Sequence, residues 1–525
     1  MSETMKKLEF LRLHKPAMYL ALKHHRTHKG EMVSFFKHEY LREFLMDDNP
    51  YICVKKSTQG GYTEILEVIS IAKAITGRGV FYVMPTERLV SRFVKNRIDK
   101  SIAMTEYYRQ QVKESGNKGA ESVSLKHIGR GVIAYIPSNS TSAFTEFPAD
   151  DLIIDELDEC DQSNLSMADE RLSHSKDPRI IKIGNPTIQE FGIDYEFLKS
   201  DRKEWHIRCR CKKWVKPEFF VNVVQEVENN DYVLCDDKWD ENSTRDINMI
   251  CQHCGKPLDK FGEGEWVAEN PKSRVSGYHV SKLFSTNMPL TKIVQRFQDG
   301  LKDDSKLQRF YNGDLGVAFT GKGSKLSYDL LNDCKADYTM PDKSSLPCVM
   351  GVDVGNVCHV KIGELQPDKK LRIVYIGTVS TEEDIMNLYR QYKCKVGCID
   401  AMPERRMSKK LATVLRGMFT VYYGDVKVER ISIDDKVVVV DRTSTLDGVR
   451  EAVLTQQIIL PKNADKLVPL RPDGVSEYYY EMCTSTRIYN EEKKRYAWVE
   501  GTAPDHFMHA TNYMLIAKRI LMKVI

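Results

Sequence analysis

Short apolar runs alternate with helix-like stretches through the first part of the chain. Residues 65–75 repeat apolar side chains at the spacing of an α-helix, directly after an apolar run and a glycine-containing loop. Strands that alternate with helices form parallel sheets, whose ligand-binding loops follow the carboxyl ends of the strands. The pattern therefore predicts an α/β domain with a ligand site at one edge of a parallel sheet. The predicted strands are 51–54, 79–84, 132–136, 151–154 and 179–183.

The loop after the first predicted strand differs from the usual phosphate-binding sequence. In the pattern G-x-x-x-x-G-K-[ST] a lysine follows the second glycine, but here Tyr62 has that place and Lys56 stands where the first glycine would be. Lys56 can still reach the β- and γ-phosphates, and Thr63 can offer its hydroxyl to Mg²⁺. A simple glycine turn is the alternative. The predicted nucleotide-binding residues of this loop are Lys56, Ser57, Gln59, Gly60, Gly61, Tyr62 and Thr63.

Two carboxylates follow the fourth predicted strand, and they favour a nucleotide site over a simple turn. In a phosphate-loop ATPase the first, Asp155, would hold Mg²⁺ and the second, Glu156, would polarise the attacking water. The fifth strand ends at Gly184 and is followed by Asn185, which would lie beside the phosphates. A solvated acidic helix start is the alternative, because more acids follow closely. With both elements present, we predict an ATPase.

Length and composition are those of a soluble globular protein with two or three domains. The chain has 525 residues, 42% of them hydrophobic, and no apolar run approaches the ~20 residues of a membrane span. Its start does not resemble a signal peptide, and its 13 cysteines suit reduced thiols in a cytoplasm better than a disulfide framework. The net charge of +4 is too small to indicate a nucleic-acid partner by itself. We assign no function to the histidine-rich tract at residues 24–28.

Four cysteines in two close pairs predict a structural Zn²⁺ site. Thiolates in paired knuckles are the usual ligands of zinc ribbons. The first pair has C-x-C rather than C-x-x-C spacing, which leaves His206 or Cys235 as a substitute ligand. Four free thiols are the other interpretation. The predicted ligands are Cys209, Cys211, Cys251 and Cys254.

The last part of the chain places acids at the ends of predicted elements. Asp353 and Asp400 each close an apolar run, and residues 373–376 would pair with the first of these runs. A late helix begins near Asp505, and His509 lies four residues later on the same face. Two strand acids and one helix acid are typical of RNase H-like nucleases, where they hold two Mg²⁺ or Mn²⁺ ions. Ordinary capping aspartates are the alternative interpretation.

The order of these elements resembles a known family. The early lysine, the Ile-Ile-Asp-Glu box at 153–156 and the Gly-Asn-Pro-Thr strand end at 184–187 are similar to the packaging ATPase of tailed-bacteriophage terminase large subunits, especially the lambda-type branch. The C-terminal acids resemble the nuclease domain of that family, but His509 stands where a final aspartate is common. Imidazole suits Mn²⁺ better than Mg²⁺, so we expect either a preference for Mn²⁺ or a weakly ligating His509.

This resemblance implies a fold and an order of domains. The expected fold class is α/β, with a P-loop (ASCE-type) ATPase domain, a small zinc-ribbon-like insertion and a C-terminal RNase H/RuvC-like nuclease domain. The expected boundaries are 1–200 for the ATPase, 201–270 for the insertion, 271–345 for a lid and linker, and 346–525 for the nuclease. The family also implies an arginine finger. Arg171 is the candidate, and a helix salt bridge would explain that residue equally.

The implied function is viral DNA packaging. ATP hydrolysis would move double-stranded DNA into a procapsid, and a metal-dependent endonuclease would cut the concatemeric genome. Expected partners are the terminase small subunit, the portal and further copies in a ring, within the cytoplasm of an infected bacterium. One alternative is an ATP-regulated transposase-like or repair nuclease; another is a DNA-binding zinc protein with inactive sites. The implied catalytic residues are Glu156, Arg171, Asp353, Asp400 and Asp505, with His509 as a further metal ligand.

Overall fold

The computed structural model describes most of the chain as two compact units. These units are Met1–Phe319 and Thr320–Ile525. The described residues are 3–115, 124–140, 144, 148–227, 231–319, 321, 324–426, 428–472, 474–490, 495–501 and 504–524. Within them, no helix has both the length and the apolar character needed to cross a membrane.

The first unit alternates strands and helices, as the hydrophobic pattern predicts. Its elements are α1 (Glu3–His14), α2 (Pro16–Lys23), α3 (Tyr40–Met46), β1 (Tyr51–Lys56), α4 (Tyr62–Ile75), β2 (Gly79–Met84), α5 (Glu87–Phe93), α6 (Asp99–Met104), α7 (Glu106–Glu114), β3 (Leu125–Ile128), β4 (Gly131–Pro137), β5 (Asp151–Asp155), α8 (Gln162–Glu170), β6 (Arg179–Gly184), α9 (Gly192–Lys199), β7 (Lys203–Arg208), β8 (Trp214–Val215), β9 (Val224–Glu226), β10 (Tyr232–Leu234), β11 (Gly264–Ala268), β12 (Ser276–Val280), α10 (Leu290–Gly300) and α11 (Asp304–Arg309).

One large sheet organises this unit. Its strand order is β11-β7-β12-β1-β6-β5-β2-β4-β3, with β8 paired to β7. The strands from β12 to β4 in this order run parallel. Strands β1, β2 and β5 are almost wholly buried, because helices cover both faces of the sheet. Since β6 lies between β1 and β5, the loops that follow these three strands open at the same edge.

The sheet extends beyond the limit that the sequence indicates. Strand β7 and strand β11, from the segment expected to be an insertion, pair with each other, and β7 also pairs with β12. Strand β12 lies beside β1, although it falls in the expected lid and linker. Strands β7 and β11 mix polar and apolar residues and bury only part of their surface, so no long apolar run marks them. The division between the compact units follows Phe319 instead.

The second unit contains a nine-stranded mixed sheet. Its elements are α12 (Tyr328–Asn332), β13 (Lys335–Ala336), β14 (Cys348–Val354), β15 (Cys358–Leu365), β16 (Leu371–Val379), α13 (Glu382–Gln391), β17 (Cys394–Asp400), α14 (Arg405–Val414), β18 (Met418–Tyr423), β19 (Arg430–Ser432), β20 (Val437–Val440), α15 (Arg442–Leu454), β21 (Ile458–Pro461), α16 (Glu477–Met482), β22 (Thr486–Asn490), β23 (Arg495–Val499) and α17 (His506–Val524).

The strand order of the second unit corrects one predicted pairing. The order is β13-β21-β16-β15-β14-β17-β18-β20-β19. Residues 373–376 lie in β16, which pairs with β15 and not with β14. Strand β15 escaped sequence analysis because buried polar residues, among them His359 and Lys361, interrupt its apolar pattern. The predicted α/β class is confirmed, and β14 lies between β15 and the parallel strand β17.

The C-terminal helix α17 packs closely on β14 at Gly351. A Cβ atom at this glycine would lie 2.0 Å from the carbonyl oxygen of Ala510 and 2.3 Å from the backbone nitrogen of Met514. Both obstacles belong to the helix backbone and not to a flexible side chain. Only glycine therefore permits α17 to lie at this distance from the strand.

We expect Gly351→Ala to destabilise the second unit by about 2–3 kcal/mol, because the methyl group must displace the helix. Gly448→Ala is the matched control, since Gly448 lies within α15 and a Cβ there has open space; it should be neutral or stabilising by up to ~1 kcal/mol. Denaturant unfolding of both variants measures the difference. Equal stabilities would contradict the packing argument.

A buried lysine makes the stability of the second unit depend on pH. Lys361 is wholly buried, and its ammonium donates to the Tyr478 hydroxyl at 2.6 Å and to Thr511 Oγ1 at 3.0 Å. Burial lowers the pKa of Lys361 to about 7. An unfolded lysine has a pKa of about 10.4. Between these values the unfolded chain binds a proton that the folded chain lacks, so the Lys361 contribution to stability increases with pH.

In Lys361→Met this proton linkage is absent. We therefore expect the unfolding free energy of the wild type, minus that of Lys361→Met, to increase between about pH 7 and about pH 9. Urea unfolding of both proteins at several pH values measures this difference. A difference that stays constant over the range would show that Lys361 keeps its proton when the chain folds.

Candidate functional site

The lysine of the phosphate loop is buried and paired with an acid. Lys56 ends β1, and its ammonium donates to Glu156 Oε1 at 2.7 Å and to Asn185 Oδ1 at 3.2 Å. Burial would lower the pKa of Lys56, but the carboxylates of Glu156 and Asp155 outweigh burial and raise it. The ends of β1, β5 and β6 thus bring a lysine, two acids and an asparagine together.

The two acids after β5 differ in environment. Asp155 is buried and accepts a hydrogen bond from the Tyr82 hydroxyl at 3.0 Å. Burial and the neighbouring Glu156 raise the pKa of Asp155 to about 6. Glu156 has a φ of 57°, in the left-handed region that non-glycine residues rarely adopt, and its side chain is 33% exposed. Asp155 is therefore held in a fixed, buried position, whereas Glu156 is partly open to solvent.

The backbone of the phosphate loop turns sharply into α4. Gln59 and Gly61 have φ angles of 65° and 85°. Gly61 immediately precedes the helix, whose first N–H groups have no partners within the helix. Thr63 lies in that first turn, and the Gly60 carbonyl accepts a hydrogen bond from the Tyr40 hydroxyl at 3.1 Å. The amides and the positive end of the helix dipole together can hold an anion.

Two residues predicted to bind nucleotide contribute mainly to the core. Tyr62 is 1% exposed, and its ring packs against Phe44 with ring centroids 5.3 Å apart. Only the backbone N–H of Tyr62 is therefore available to a ligand. Ser57 is also buried, and its N–H donates to the Val280 carbonyl at 3.1 Å. Sequence spacing identified the loop but could not show which way these side chains point.

A segment without a predicted role supports the phosphate loop. In this bracing segment, residues 310–316, the Gly313 carbonyl accepts hydrogen bonds from the N–H of Thr58 at 2.9 Å and from its hydroxyl at 3.0 Å. Gly316 has a φ of +66°, and a Cβ there would lie 2.8 Å from the Ser57 nitrogen. The two glycines were the only sequence signal for this contact, because they permit a close approach of backbones.

Lys282 is a second buried lysine beside the loop. Its ammonium donates to Thr58 Oγ1 at 2.5 Å and to Asp314 Oδ1 at 2.7 Å. Arg296 donates to the same Asp314 oxygen at 2.6 Å. Asp314 therefore balances two cations next to the phosphate loop, and nothing in the local sequence around Lys282 indicated this.

Asp158 connects the acidic loop to the loop after β6. One carboxylate oxygen accepts hydrogen bonds from the N–H of Thr187 at 2.8 Å and from its hydroxyl at 2.7 Å, and the other accepts from the Ile193 N–H at 2.7 Å. Asn312 of the bracing segment donates to the Thr187 carbonyl at 3.0 Å. Asn185 donates to the Asn312 carbonyl at 3.5 Å. A displacement of Asp158 or of Asn185 would therefore be transmitted to the bracing segment through these hydrogen bonds.

Arg171, the candidate arginine finger, follows α8 directly. Its carbonyl accepts a hydrogen bond from the Ala149 N–H at 3.2 Å, and its Nε is buried. Among the described residues that Nε has no hydrogen-bond partner. The structure joins Arg171 neither to the phosphate loop nor to a helix ion pair within the described ranges, so its role stays a prediction.

The four predicted cysteine ligands come together in one cluster. The Sγ atoms of Cys209 and Cys254 are 3.7 Å apart, those of Cys211 and Cys251 are 4.0 Å apart, and all four lie within 4.8 Å of one another. Tetrahedral Zn²⁺ with Zn–S bonds of ~2.3 Å requires sulfur atoms about 3.8 Å apart. The thiols therefore have the spacing of a four-thiolate metal site.

The two substitute ligands are engaged elsewhere. Cys235 Sγ lies 3.5 Å from the Val221 carbonyl oxygen, and the His206 ring nitrogen Nδ1 lies 3.1 Å from the Glu204 carbonyl oxygen. The C-x-C spacing is accommodated because Lys212, with a φ of 69°, turns the chain back after the first knuckle. None of the 13 cysteines, all of which lie in the described ranges, forms a disulfide.

Adjacent strands of the second unit present the first two predicted nuclease acids. Parallel register pairs Val352 with Ile399, so Asp353 and Asp400 are the next residues on β14 and β17. Burial and the charge of Asp353 raise the pKa of Asp400. A cation held by both side chains would offset the repulsion that Asp400 experiences.

The third predicted acid lies at the start of α17 among basic groups. Asp505 Oδ2 is 3.5 Å from His509 Nε2 and 3.6 Å from an Arg442 guanidinium nitrogen, and it accepts a hydrogen bond from Ser485. Burial would raise the pKa of Asp505, but these partners outweigh burial and lower it. His509 also contacts the Tyr423 hydroxyl through Nδ1 at 2.6 Å. Both ring nitrogens of His509 are therefore already engaged by protein groups.

The closest group of potential metal ligands in this unit is not the predicted set of three aspartates. Asp353, His359 and His506 place one ligand atom each within 4.8 Å of one another, which the three aspartates do not do in the described part of the chain. His506 Nδ1 lies 2.8 Å from Asp353 Oδ2, and its ring stacks on His359. The hydrogen bond with Asp353 raises the pKa of His506 to about 8. His506 had a sequence signal in its neighbour Asp505, whereas His359 had none.

A buried glutamate adds a further acid to this group. Glu481 Oε1 lies 3.7 Å from His359 Nε2, and its other oxygen accepts a hydrogen bond from the Phe507 N–H at 3.1 Å. Burial raises the pKa of Glu481 to about 7. Asp353 and Asp400 thus lie on adjacent strands, whereas Asp505 pairs with His509 and Arg442, and a site common to all three aspartates stays a prediction.

Two family models match the chain. "Phage terminase large subunit gpA, ATPase domain" covers residues 36–269, and "Terminase large subunit gpA, endonuclease domain" covers residues 275–362. The first match includes the phosphate loop, both acids after β5 and the four clustered cysteines. The second includes Asp353 and ends before Asp400.

Similar proteins agree with the family models. The terminase large subunit of Enterobacteria phage P21 is 23% identical over 324 residues, which is 54% of this chain and 48% of that protein. The chain thus spans about half the length of the curated relative it matches. The crystal structure of the HK97 bacteriophage large terminase has a TM-score of 0.50 and 9% identity over 93% of this chain and 95% of that one, which shows a shared fold. The two family models describe successive domains of one protein and together match more than half of the chain, residues 36–269 and 275–362, so they show that the chain belongs to the phage terminase large subunits, in which an ATPase domain precedes an endonuclease domain.

Proposed function

We propose that this chain is the motor and nuclease of viral DNA packaging. The observation that carries the proposal is that one chain contains a phosphate-loop site, Lys56 with Glu156 and Asn185, and an acidic site on an RNase H-like sheet, Asp353 with Asp400. ATP hydrolysis in the first unit would move double-stranded DNA into a procapsid. The second unit would cut the concatemeric genome.

The residues of the first site fit a nucleotide with Mg²⁺. Such a nucleotide supplies a phosphoanhydride bond whose cleavage releases the energy for movement. The amides of Gly60, Gly61 and the first turn of α4 would hold the phosphates, together with Lys56. Asp155 and Thr63 would hold the cation. Glu156 would orient the attacking water and accept its proton, once phosphate oxygens replace it as the partner of Lys56.

Hydrolysis would be sensed by the residues that join the three loops. Asn185 contacts Lys56 on one side and Asn312 on the other, at 3.2 Å and 3.5 Å. A change in the partner of Lys56 would alter this chain of hydrogen bonds. The bracing segment, which ends three residues before the last residue of the first unit, would respond directly.

The acids of the second unit fit a pair of divalent cations. Asp353 and Asp400 would hold the ions, together with Asp505 once it gives up its contacts with Arg442 and His509. Released Arg442 would meet the DNA phosphate. Because both ring nitrogens of His509 have protein partners, His509 would orient the metal ligands and would not itself bind the ions. His359 and His506 offer imidazole nitrogens that suit Mn²⁺.

The four clustered thiols fit a structural Zn²⁺ ion. The sulfur spacing supports this assignment, because 3.7 Å and 4.0 Å are close to the edge of a zinc tetrahedron. Bound Zn²⁺ would hold together the two knuckles at 209–211 and 251–254, which are far apart in sequence.

Double-stranded DNA is the proposed substrate of both units. By family, the proposed partners are the terminase small subunit, the portal of the procapsid and further copies of this chain in a ring. Several subunits are required because one ATPase cannot keep hold of DNA between strokes. This assembly would act in the cytoplasm of an infected bacterium. Within the ring, Arg171 would reach the nucleotide of a neighbouring subunit.

Glu156→Gln should abolish ATP turnover without loss of the fold. The amide keeps an oxygen acceptor for Lys56 but cannot take a proton from water, so we expect kcat to fall by at least about 100-fold while nucleotide binding is retained. Phosphate release assays with DNA present measure kcat. Glu170→Gln, at an exposed glutamate of the neighbouring α8, is the control and should match the wild type. Unchanged turnover in Glu156→Gln would refute the assigned role.

Asp400→Asn should abolish DNA cleavage and leave ATP turnover unchanged. Removing one charge from the cation site is expected to cost several kcal/mol of transition-state stabilisation, or at least about 100-fold in rate. Plasmid nicking with Mn²⁺ measures the loss. Asp434→Asn, an exposed acid of the same unit, should cut like the wild type. A variant Asp400→Asn that cuts normally would remove the nuclease assignment and leave the ATPase assignment standing.

A further inference from the structure

A further group of potential metal ligands lies where helix α4 meets the segment that follows α2. His25 Nε2 is 3.0 Å from Glu64 Oε1, and one ligand atom each of His25, Glu64 and Glu67 lies within 4.8 Å of the others. Glu64 and Glu67 are one helical turn apart, so they share a face of α4. His25 belongs to the histidine-rich tract that follows α2.

Glu67 lacks the partners that a buried acid requires. Its side chain is wholly buried, and neither carboxylate oxygen has a hydrogen-bond partner among the described residues. The nearby Ser101 hydroxyl donates instead to the Arg26 carbonyl at 2.9 Å. Burial, with the charge of Glu64, raises the pKa of Glu67 to about 8. An unpartnered buried carboxylate is costly unless a proton or a cation compensates it.

The surrounding groups orient His25 and Glu64 as metal ligands. His25 Nδ1 lies 3.0 Å from the buried Tyr108 hydroxyl, which fixes the ring and leaves Nε2 directed at the two acids. Metal-bound imidazoles are commonly held in this way through their second nitrogen. Arg97 donates to Glu64 Oε2 at 3.0 Å, so Oε1 remains for an ion.

His28 of the same tract lies beside Glu64 but outside the group of three. His28 Nδ1 is buried, has no hydrogen-bond partner among the described residues, and lies 4.0 Å from Glu64 Oε2. His25 and His28 are three residues apart, as are Glu64 and Glu67. Two imidazoles and two carboxylates are a frequent donor set for first-row divalent transition metals.

We propose that His25, Glu64 and Glu67, with His28 as fourth ligand, bind one Zn²⁺ ion. Zn²⁺ bonds of ~2.0–2.1 Å to nitrogen and oxygen place neighbouring ligand atoms about 3.4 Å apart. The ligand atoms of His25, Glu64 and Glu67 lie within 4.8 Å of one another, so they would move closer on binding, and His28 would turn toward them. Mg²⁺ fits poorly, because it prefers oxygen ligands and retains water.

The ion would connect two parts of the first unit. His25 and His28 lie in the segment between α2 and α3, whereas the two glutamates lie on the helix that begins at the phosphate loop. Binding would therefore fix α4 to the N-terminal segment at a point separate from the nucleotide. The ion would also neutralise the two acids together with Arg97.

Metal content of the full-length chain tests this site. After equilibration with buffered Zn²⁺ and removal of free ion, we expect Glu67→Gln and His25→Gln each to hold one ion per chain fewer than the wild type, by elemental analysis. The difference does not depend on the four-cysteine site, which all these proteins retain. Glu364→Gln, another buried carboxylate that contacts no imidazole, is the matched control and should hold as many ions as the wild type.

Cobalt spectra identify the ligands and provide a second readout. When Co²⁺ replaces Zn²⁺, the wild type minus Glu67→Gln spectrum should contain d–d bands without thiolate-to-cobalt charge transfer. Equal metal content in the wild type and both ligand variants would overturn the proposal. If a variant fails to fold, the wild type decides: a cobalt spectrum with only thiolate-bound ion would overturn the proposal equally.

Discussion

The buried ion pair between Lys56 and Glu156 is the contact around which the first unit is arranged. A lysine ammonium at 6% exposure of its side chain requires a partner, and the strand order supplies one by placing β6 beside β1 and β5 next to β6. The same requirement brings Asn185 to the lysine. Phosphate would be attracted to the same ammonium that holds Glu156, so under the proposed function nucleotide binding would free this acid from Lys56.

Charge compensation also shapes the second unit. In the first unit acids surround a buried lysine, whereas in the second unit basic groups surround acids. Its strand acids, Asp353 and Asp400, face each other across adjacent strands, and the fold places imidazole and guanidinium groups among them. His506 pairs with Asp353, and Arg442 with His509 surrounds Asp505. These basic groups compensate the acids one by one. They also explain why the three aspartates do not form one tight cluster.

Sequence analysis identified most of the site residues that lie at strand ends. It missed most of the residues that contact those strand ends from distant parts of the chain. Lys56, Asp155 and Asn185 each follow an apolar run, so the hydrophobic pattern of the sequence was enough to identify them. Lys282 and the bracing segment lie more than two hundred residues from the loop they contact, with no local pattern to mark them. His359 escaped for a related reason, because buried polar residues concealed β15.

The sequence by itself determined the α/β class, the order of the two catalytic units and the positions of their strand-end acids. These follow from hydrophobic periodicity and from short-range spacing, both of which are properties of neighbouring residues. Only the tertiary structure decided that β7, β11 and β12 extend the first sheet, that Tyr62 faces the core, and that His25 meets Glu64 and Glu67. Such facts depend on which surfaces pack together, and contacts between distant residues leave no period in the chain.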